Sequence, residues 1–302
     1  MNKKYKVTLS YDGTDFFGWG IQPDRRTIQG SIEDALSTIF NEHIPTIVAG
    51  RTDAGVHAIA QEFEFSCSDL LTQKIVGHGD WVFEEAFKIR VNSILDGDLR
   101  IISIEEVSGE FSARFSALSR TYYYLISDAK TSPSPILNRY TYCDYAELDV
   151  DAMNKAANSI LGLHDFFSFS KHRDKATTIR DLKQFEFVRI DLNKSDPQTY
   201  KNLPFAVDGL IACKLTADAF AHNMVRSLIR ASLLIGKNQK PVSWLKEKLD
   251  EKQREGSTGP IDSKGLYFAG VQYPDLHDDQ FLRAHNEETK TRREILPVSD
   301  SK

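Results

Sequence analysis

The feature that most constrains this chain is the order in which its apolar residues change period. Tyr5, Val7, Leu9 and Tyr11 alternate with Lys6, Thr8 and Ser10, the spacing of a half-buried strand, and Asp12-Gly13 ends the run. Thr27 then precedes Ile28, Ile32, Ala35, Leu36, Ile39 and Phe40, which share one face of a helix capped by that threonine. Residues 45–49 and 57–65 read as strands on either side of a polar, glycine-containing link. A second helix is predicted over 82–94 and a strand over 99–107, giving β-α-β-β-α-β. The order recurs downstream: strand 120–127, helix 150–161 capped by Asp149, strands 178–190 and 209–215, helix 219–235 and strand 266–273, with a further helix from Ser243 before the last strand.

This is the split βαβ, or ferredoxin-like, pattern twice over. The expectation is an α+β fold in which two ferredoxin-like halves, residues 1–108 and 109–274, form one extended antiparallel sheet with helices packed on it. The active cleft is then expected between the halves, since sites favour such junctions. Residues 275–302 turn charged and polar and read as a frayed or helical appendage.

A chain of 302 residues can bury a sizeable core without a metal or disulfide staple. Cys67, Cys143 and Cys213 are widely spaced with no CxxC pair, which argues against a zinc knuckle or disulfide framework and fits a reducing, cytoplasmic compartment. No apolar run is long enough for a signal peptide or membrane helix, so a soluble protein is expected. The net charge of −5 runs against a nucleic-acid partner only as a total. Acid is concentrated in helix faces at 32–36 and 245–255, whereas Arg25-Arg26, Lys171-His172-Arg173 and the pair Arg226 and Arg230 form local basic groups.

The stretch Ala49-Gly50-Arg51-Thr52-Asp53-Ala54-Gly55-Val56-His57-Ala58 packs two glycines, an arginine, an aspartate and a histidine between two predicted strands. Glycines permit positive φ and close approach of a ligand, so such a loop can expose Asp53 as a nucleophile or base with room for a nucleotide. The same composition suits an ordinary connecting turn in which Asp53 bonds its own backbone. Gly50 and Gly55 have P-loop spacing but are followed by Val56-His57 and not by Lys and Ser/Thr, so no nucleoside triphosphate is implied. His57 and His222 have no further ligand type at a zinc spacing and read as structural histidines; Phe17, Trp19 and Phe220 read as packing. Without further information Tyr122 and Tyr124 read as cross-strand packing, and Arg226, in an otherwise apolar helix, as a structural pair.

The run Gly50-Arg51-Thr52-Asp53-Ala54-Gly55-Val56-His57 resembles the signature loop of TruA-type tRNA pseudouridine synthases. Further segments resemble that family in the family's order: Tyr11-Asp12-Gly13-Thr14-Asp15 with Phe17-Gly18-Trp19; residues 111–117 continuing through Arg120, Tyr122 and Tyr124; residues 164–169; residues 220–226; and Gly265-Leu266-Tyr267 to Tyr273-Pro274. The resemblance covers roughly residues 5–274. It departs at Gly20-Ile21-Gln22 after Trp19, at Asp96 and at Arg230.

The resemblance implies isomerisation of uridine to pseudouridine at positions 38–40 of the tRNA anticodon stem-loop, by a homodimer. Asp53 matches the essential aspartate, Tyr122 the tyrosine that stacks on the target base, Arg226 the arginine that pairs with the aspartate and keeps it ionised, Arg51 the residue that fills the space of the flipped nucleotide, and Leu266 an apolar wall. The reaction exchanges a C–N for a C–C bond with no net redox change, so no cofactor or metal is expected. In this setting the Lys171 to Lys175 run becomes a phosphate contact. The rival readings are a catalytically inactive tRNA-binding protein on the same fold, and a hydrolase built on His57 and His222.

Overall fold

The computed structural model describes residues 2–77, 81–131, 134–171, 176–194 and 200–293, and the chain divides into two compact units. The chain is α+β, and its strands pair mostly antiparallel. Most of the Lys171 to Lys175 run, and residues 294–302 of the tail, lie outside the described residues.

The first unit comprises residues 1–118 and 268–288. Strand β1 (Asn2–Tyr11) buries Tyr5, Val7, Leu9 and Tyr11, as the alternation requires. It lies between β3 (His57–Ser68) and β4 (Leu99–Val107), antiparallel to both. Helix α1 (Ile28–Phe40) begins where Thr27 accepts from Gly30 N–H, and it ends at Asn41, whose φ of 58° is left-handed. Its apolar stripe joins Phe63 and Phe65 of β3, with Phe40 6.1 Å from Phe65 between ring centres. Phe87 of α3 (Phe83–Ile94) stacks on Phe65 at 5.3 Å and 14°, so the ring wall spans both helices.

Two features depart from the sequence reading. Strand β2 is two residues long, Ile47–Val48, and an unforeseen helix, α2 (Asp69–Val76), follows β3 at once. The tail forms helix α7 (Asp279–Arg293). Its Leu282 is buried with Ala49, Val107, Phe111 and Ala113, and Asn286 bonds Ser116 and the Glu110 carbonyl.

Among the described residues of this unit, Glu62 is a strongly perturbed carboxylate. Burial pushes its pKa up to about 7, against the pull of Lys6 (3.5 Å) and the one hydroxyl hydrogen of Thr8 Oγ1, which stands 3.1 Å from both carboxyl oxygens. A carboxyl raised on folding binds its proton more tightly in the native state. Its stabilisation is therefore full below the unfolded value near 4.5 and is lost as pH rises through 7. Glu62→Gln keeps an acceptor for Thr8, and Lys6 keeps Glu105 at 2.7 Å. The variant is expected to be more stable than wild type at pH 8, by up to roughly 3 kcal/mol and so with a higher unfolding temperature, the gap closing by pH 5. Thermal melts at the two pH values check this.

The second unit comprises residues 119–267 and 289–302. Its sheet runs β5 (Ser119–Ser127), β9 (Ile211–Ala217), β8 (Ile179–Arg189), β7 (Gly162–Asp165), with β6 (Tyr142–Cys143) parallel to the end of β5. Helix α4 (Val150–Asn158) is capped by Asp149, which accepts from Ala152 N–H, and it stops short of Gly162, whose φ of 97° cannot continue a helix. Helix α5 (Met224–Gly236) starts five residues later than its apolar pattern suggests, because Asn223 takes a left-handed φ of 67°. Helix α6 (Trp244–Glu251) follows, near the Ser243 start expected from sequence. Strand β10 (Leu266–Gln272) contributes Leu266 and Tyr267 here, and its residues from Phe268 onward belong to the first unit.

Candidate active site

In the first unit the link between β2 and β3 is a built loop. Buried Gln61 donates to Gly50 O at 2.9 Å and fixes the entry. Thr52 is then held twice, by Tyr11 through a hydroxyl–hydroxyl bond of 2.8 Å and by Trp19 N–H, which donates to Thr52 O at 3.0 Å. Burial pushes the Tyr11 hydroxyl up to about 12, so it stays protonated as a hydrogen-bonding group.

Val56 N–H donates to Asp53 O at 3.2 Å, closing a reverse turn whose third residue, Gly55, has φ 76°. Any side chain there would be strained. Asp53 is thus the first residue of a tight turn, half-buried, between Thr52 and Val56, both buried. Arg51 is exposed, and its guanidinium lies beside Gly20, where a Cβ would stand 3.9 Å from Nε. The glycine that departs from the family pattern therefore faces one of the candidate site residues.

The turn is braced from outside by residues 12–19. Gly55 N–H donates to Phe16 O at 3.4 Å, and a Cβ on Gly18, whose φ is 87°, would lie 2.8 Å from Thr52 O. Trp19 is buried, as expected. Phe17 is not core packing: it is 45% exposed with the Arg25 guanidinium 4.3 Å from its ring centre, because its neighbour Gly18 turns the side chain outward as the backbone closes on the loop. In the sequence Asp12-Gly13 ends a strand and belongs to a segment resembling the family, with no contact to the Asp53 loop expected, and Gln61 has no role. The available signal was Gln61 itself, a polar residue among the buried positions of a strand.

In the second unit Tyr122 projects half-buried from β5, edge-on to Phe220 with ring centres 5.2 Å apart at 89°. Tyr123 and Tyr124 are the packing residues, and Tyr124 Oη donates to Asp262 O at 2.9 Å. Arg226 lies in the first turn of α5. Its Nε donates to Ile261 O at 2.6 Å while its own carbonyl accepts from Ile261 N–H at 3.3 Å. This reciprocal pair fixes the base of the guanidinium against the 261–266 turn, where Leu266 N–H donates to Ser263 O and the Leu266 side chain is buried. Phe220, Arg226 and the 261–266 turn are therefore tied to β5 and α5 of one unit.

Comparison with known proteins gives these observations a context. Residues 156–274 match the family model for tRNA pseudouridine synthase. The chain is 38% identical over 300 residues to tRNA pseudouridine synthase A of Bifidobacterium animalis subsp. lactis, covering 97% of this chain and 99% of that relative. It is 38% identical to the protein of the same name from Bifidobacterium longum, over 92% of this chain and 95% of the relative. The Streptomyces avermitilis protein of that name is also 38% identical, over 98% and 95%. With identity at this level along nearly the whole length of both chains, this protein belongs to the tRNA pseudouridine synthase A family.

Proposed function

We propose that this protein isomerises uridine to pseudouridine at positions 38–40 in the anticodon stem-loop of tRNA, with Asp53 as the nucleophile. The observation that carries the reading is the loop at 50–57: a half-buried carboxylate set in a glycine turn whose flanking residues are pinned by Tyr11, Trp19, Gln61 and Phe16. Fixing the backbone on both sides of a nucleophile holds it near its attack geometry without reorganisation during the reaction.

The chemistry breaks the bond between N1 and C1′, turns the uracil, and joins C5 to C1′; N1 gains a proton and the hydrogen on C5 leaves as a proton. Asp53 opens this rearrangement. Tyr122 offers a flat face to the extruded base, since enzymes acting on a stacked base first take it out of the stack. The family resemblance gives Arg226 the role of partner to the essential aspartate and Leu266 that of an apolar wall for the base, while exposed Arg51 compensates for the vacated position and meets phosphate. The protein works in the cytoplasm as a homodimer, so that one basic groove forms from two chains of acidic total charge.

The test is to map pseudouridine by carbodiimide adducts on tRNA transcripts carrying uridine at 38, 39 or 40 singly. Adducts are expected at those positions after incubation with the protein and at none of the other uridines. Modification confined to another part of the tRNA contradicts the site assignment, and tRNA binding without any adduct favours an inactive binding protein.

A further inference from the structure

One buried side chain fastens the first turn of the 12–19 brace to the exit of the Asp53 loop. His57 opens β3 four residues after Asp53 and is 2% exposed. Its Nδ1 accepts from Gly13 N–H at 3.1 Å. In this bond the imidazole nitrogen is the acceptor and the backbone the donor. Asp12 Oδ1 also lies 3.1 Å from Nδ1, but it already accepts from Thr14 N–H at 3.0 Å and Thr14 Oγ1 at 2.6 Å, an Asx-turn that does not need the imidazole. Gly13 N–H has left the β1 ladder, whose last pair with β3 is Tyr11 with Ala58. The imidazole thus takes over where strand pairing stops.

We propose that His57 is a positioning residue for Asp53: by accepting from Gly13 N–H it locks the 12–13 turn onto Val56 and His57 and so fixes where the Asp53 carboxylate stands. The inference rests on the reading of Asp53 as the nucleophile. A merely structural histidine differs from a positioning one in what substitution does. Asparagine carries an amide oxygen where Nδ1 stands and can accept the same bond; leucine fills similar volume and cannot.

The experiment measures tritium release from tRNA containing [5-³H]uridine by the full chain, its His57→Asn and its His57→Leu variants, with tRNA affinity and urea midpoint for each. His57→Leu is expected to lose about 30- to 100-fold in kcat, the scale of a displacement near 1 Å, with KM and tRNA affinity within about twofold of wild type. His57→Asn is expected to recover most of that loss. Wild-type kcat in His57→Leu, equal loss of kcat in both variants, or a loss confined to KM overturns the proposal. If His57→Leu does not fold, His57→Gln replaces it, with its acceptor displaced by one methylene. Its kcat is expected to fall below that of His57→Asn, and equality contradicts positioning. Absence of release by wild type overturns the functional reading and this proposal with it, whereas full release by wild type and His57→Leu alike overturns this proposal alone.

Discussion

Gly13→Ala is expected to lower turnover by about a hundredfold and stability by about 3 kcal/mol. A Cβ at this position would stand 1.9 Å from Val56 O and 2.5 Å from Val56 C. Carbon and carbonyl oxygen do not approach closer than about 3.3 Å, so the two backbones must separate by more than about 1 Å. Neither neighbour is a flexible side-chain end that could swing aside. Separation also breaks the bond from Gly13 N–H to buried His57 Nδ1. Val56 is the residue whose N–H closes the turn on Asp53, so the strain is delivered to the proposed nucleophile. Urea denaturation and single-turnover tritium release measure the two effects. A wild-type midpoint and rate would show that the brace yields without moving the loop.

The second large effect belongs to the other unit. Asp128, fully buried, receives both ends of the Arg189 guanidinium, at 2.9 and 2.6 Å, together with Leu148 N–H and Lys130 N–H, each at 3.1 Å. Arg189 also donates to Gly209 O at 2.9 Å, so this ion pair joins the end of β5, the approach to α4 and the turn before β9. Removing the arginine leaves a buried carboxylate without its counter-charge. Arg189→Ala is therefore expected to destabilise by about 3–5 kcal/mol at neutral pH.

The pH dependence follows from the sign of the shift. Burial alone would push the Asp128 carboxyl up, but Arg189 and the backbone amides outweigh it and hold the carboxyl below its usual range. Stabilisation by a depressed carboxyl is present above the unfolded value near 3.8 and is lost as pH falls through the folded one. The deficit of Arg189→Ala is thus largest above pH 5 and shrinks toward pH 3, where the variant's carboxyl accepts a proton. Asp128→Asn placed in the same variant is expected to restore part of the loss at neutral pH. A deficit independent of pH would assign it to lost packing of the arginine stem.

Local chemistry was the legible part of this chain. The alternation in β1, the Thr27 cap and the Asp149 cap each depend on neighbours within a few residues, and each stands where the sequence reading put it. By composition alone the run 50–58 suits an ordinary connecting turn, and it is the resemblance to a family signature loop that singles it out.

What eluded the sequence depends on distant partners. Residues 69–76 bury only Thr72 and Ile75, and their helix is held by packing against α3. Helix α5 waits for Asn223 because His222 O is already committed to Lys171 N–H, a contact 51 positions away in sequence. Phe17 reads as core by type and stands in solvent because Gly18 must meet Thr52. The supports of the Asp53 loop, Gln61, Tyr11 and Gly13, come from two strands and a turn that only β1–β3 pairing brings together.

The most direct test of the account compares wild type with Asp53→Asn in tritium release from [5-³H]uridine tRNA. Joining C5 to C1′ must expel that hydrogen, and asparagine keeps the shape of the side chain while replacing the carboxylate by a neutral, weakly nucleophilic amide. The account predicts release by wild type and none by Asp53→Asn, with urea midpoint and tRNA affinity unchanged. Release by Asp53→Asn at a comparable rate would remove Asp53 from the centre of the chemistry.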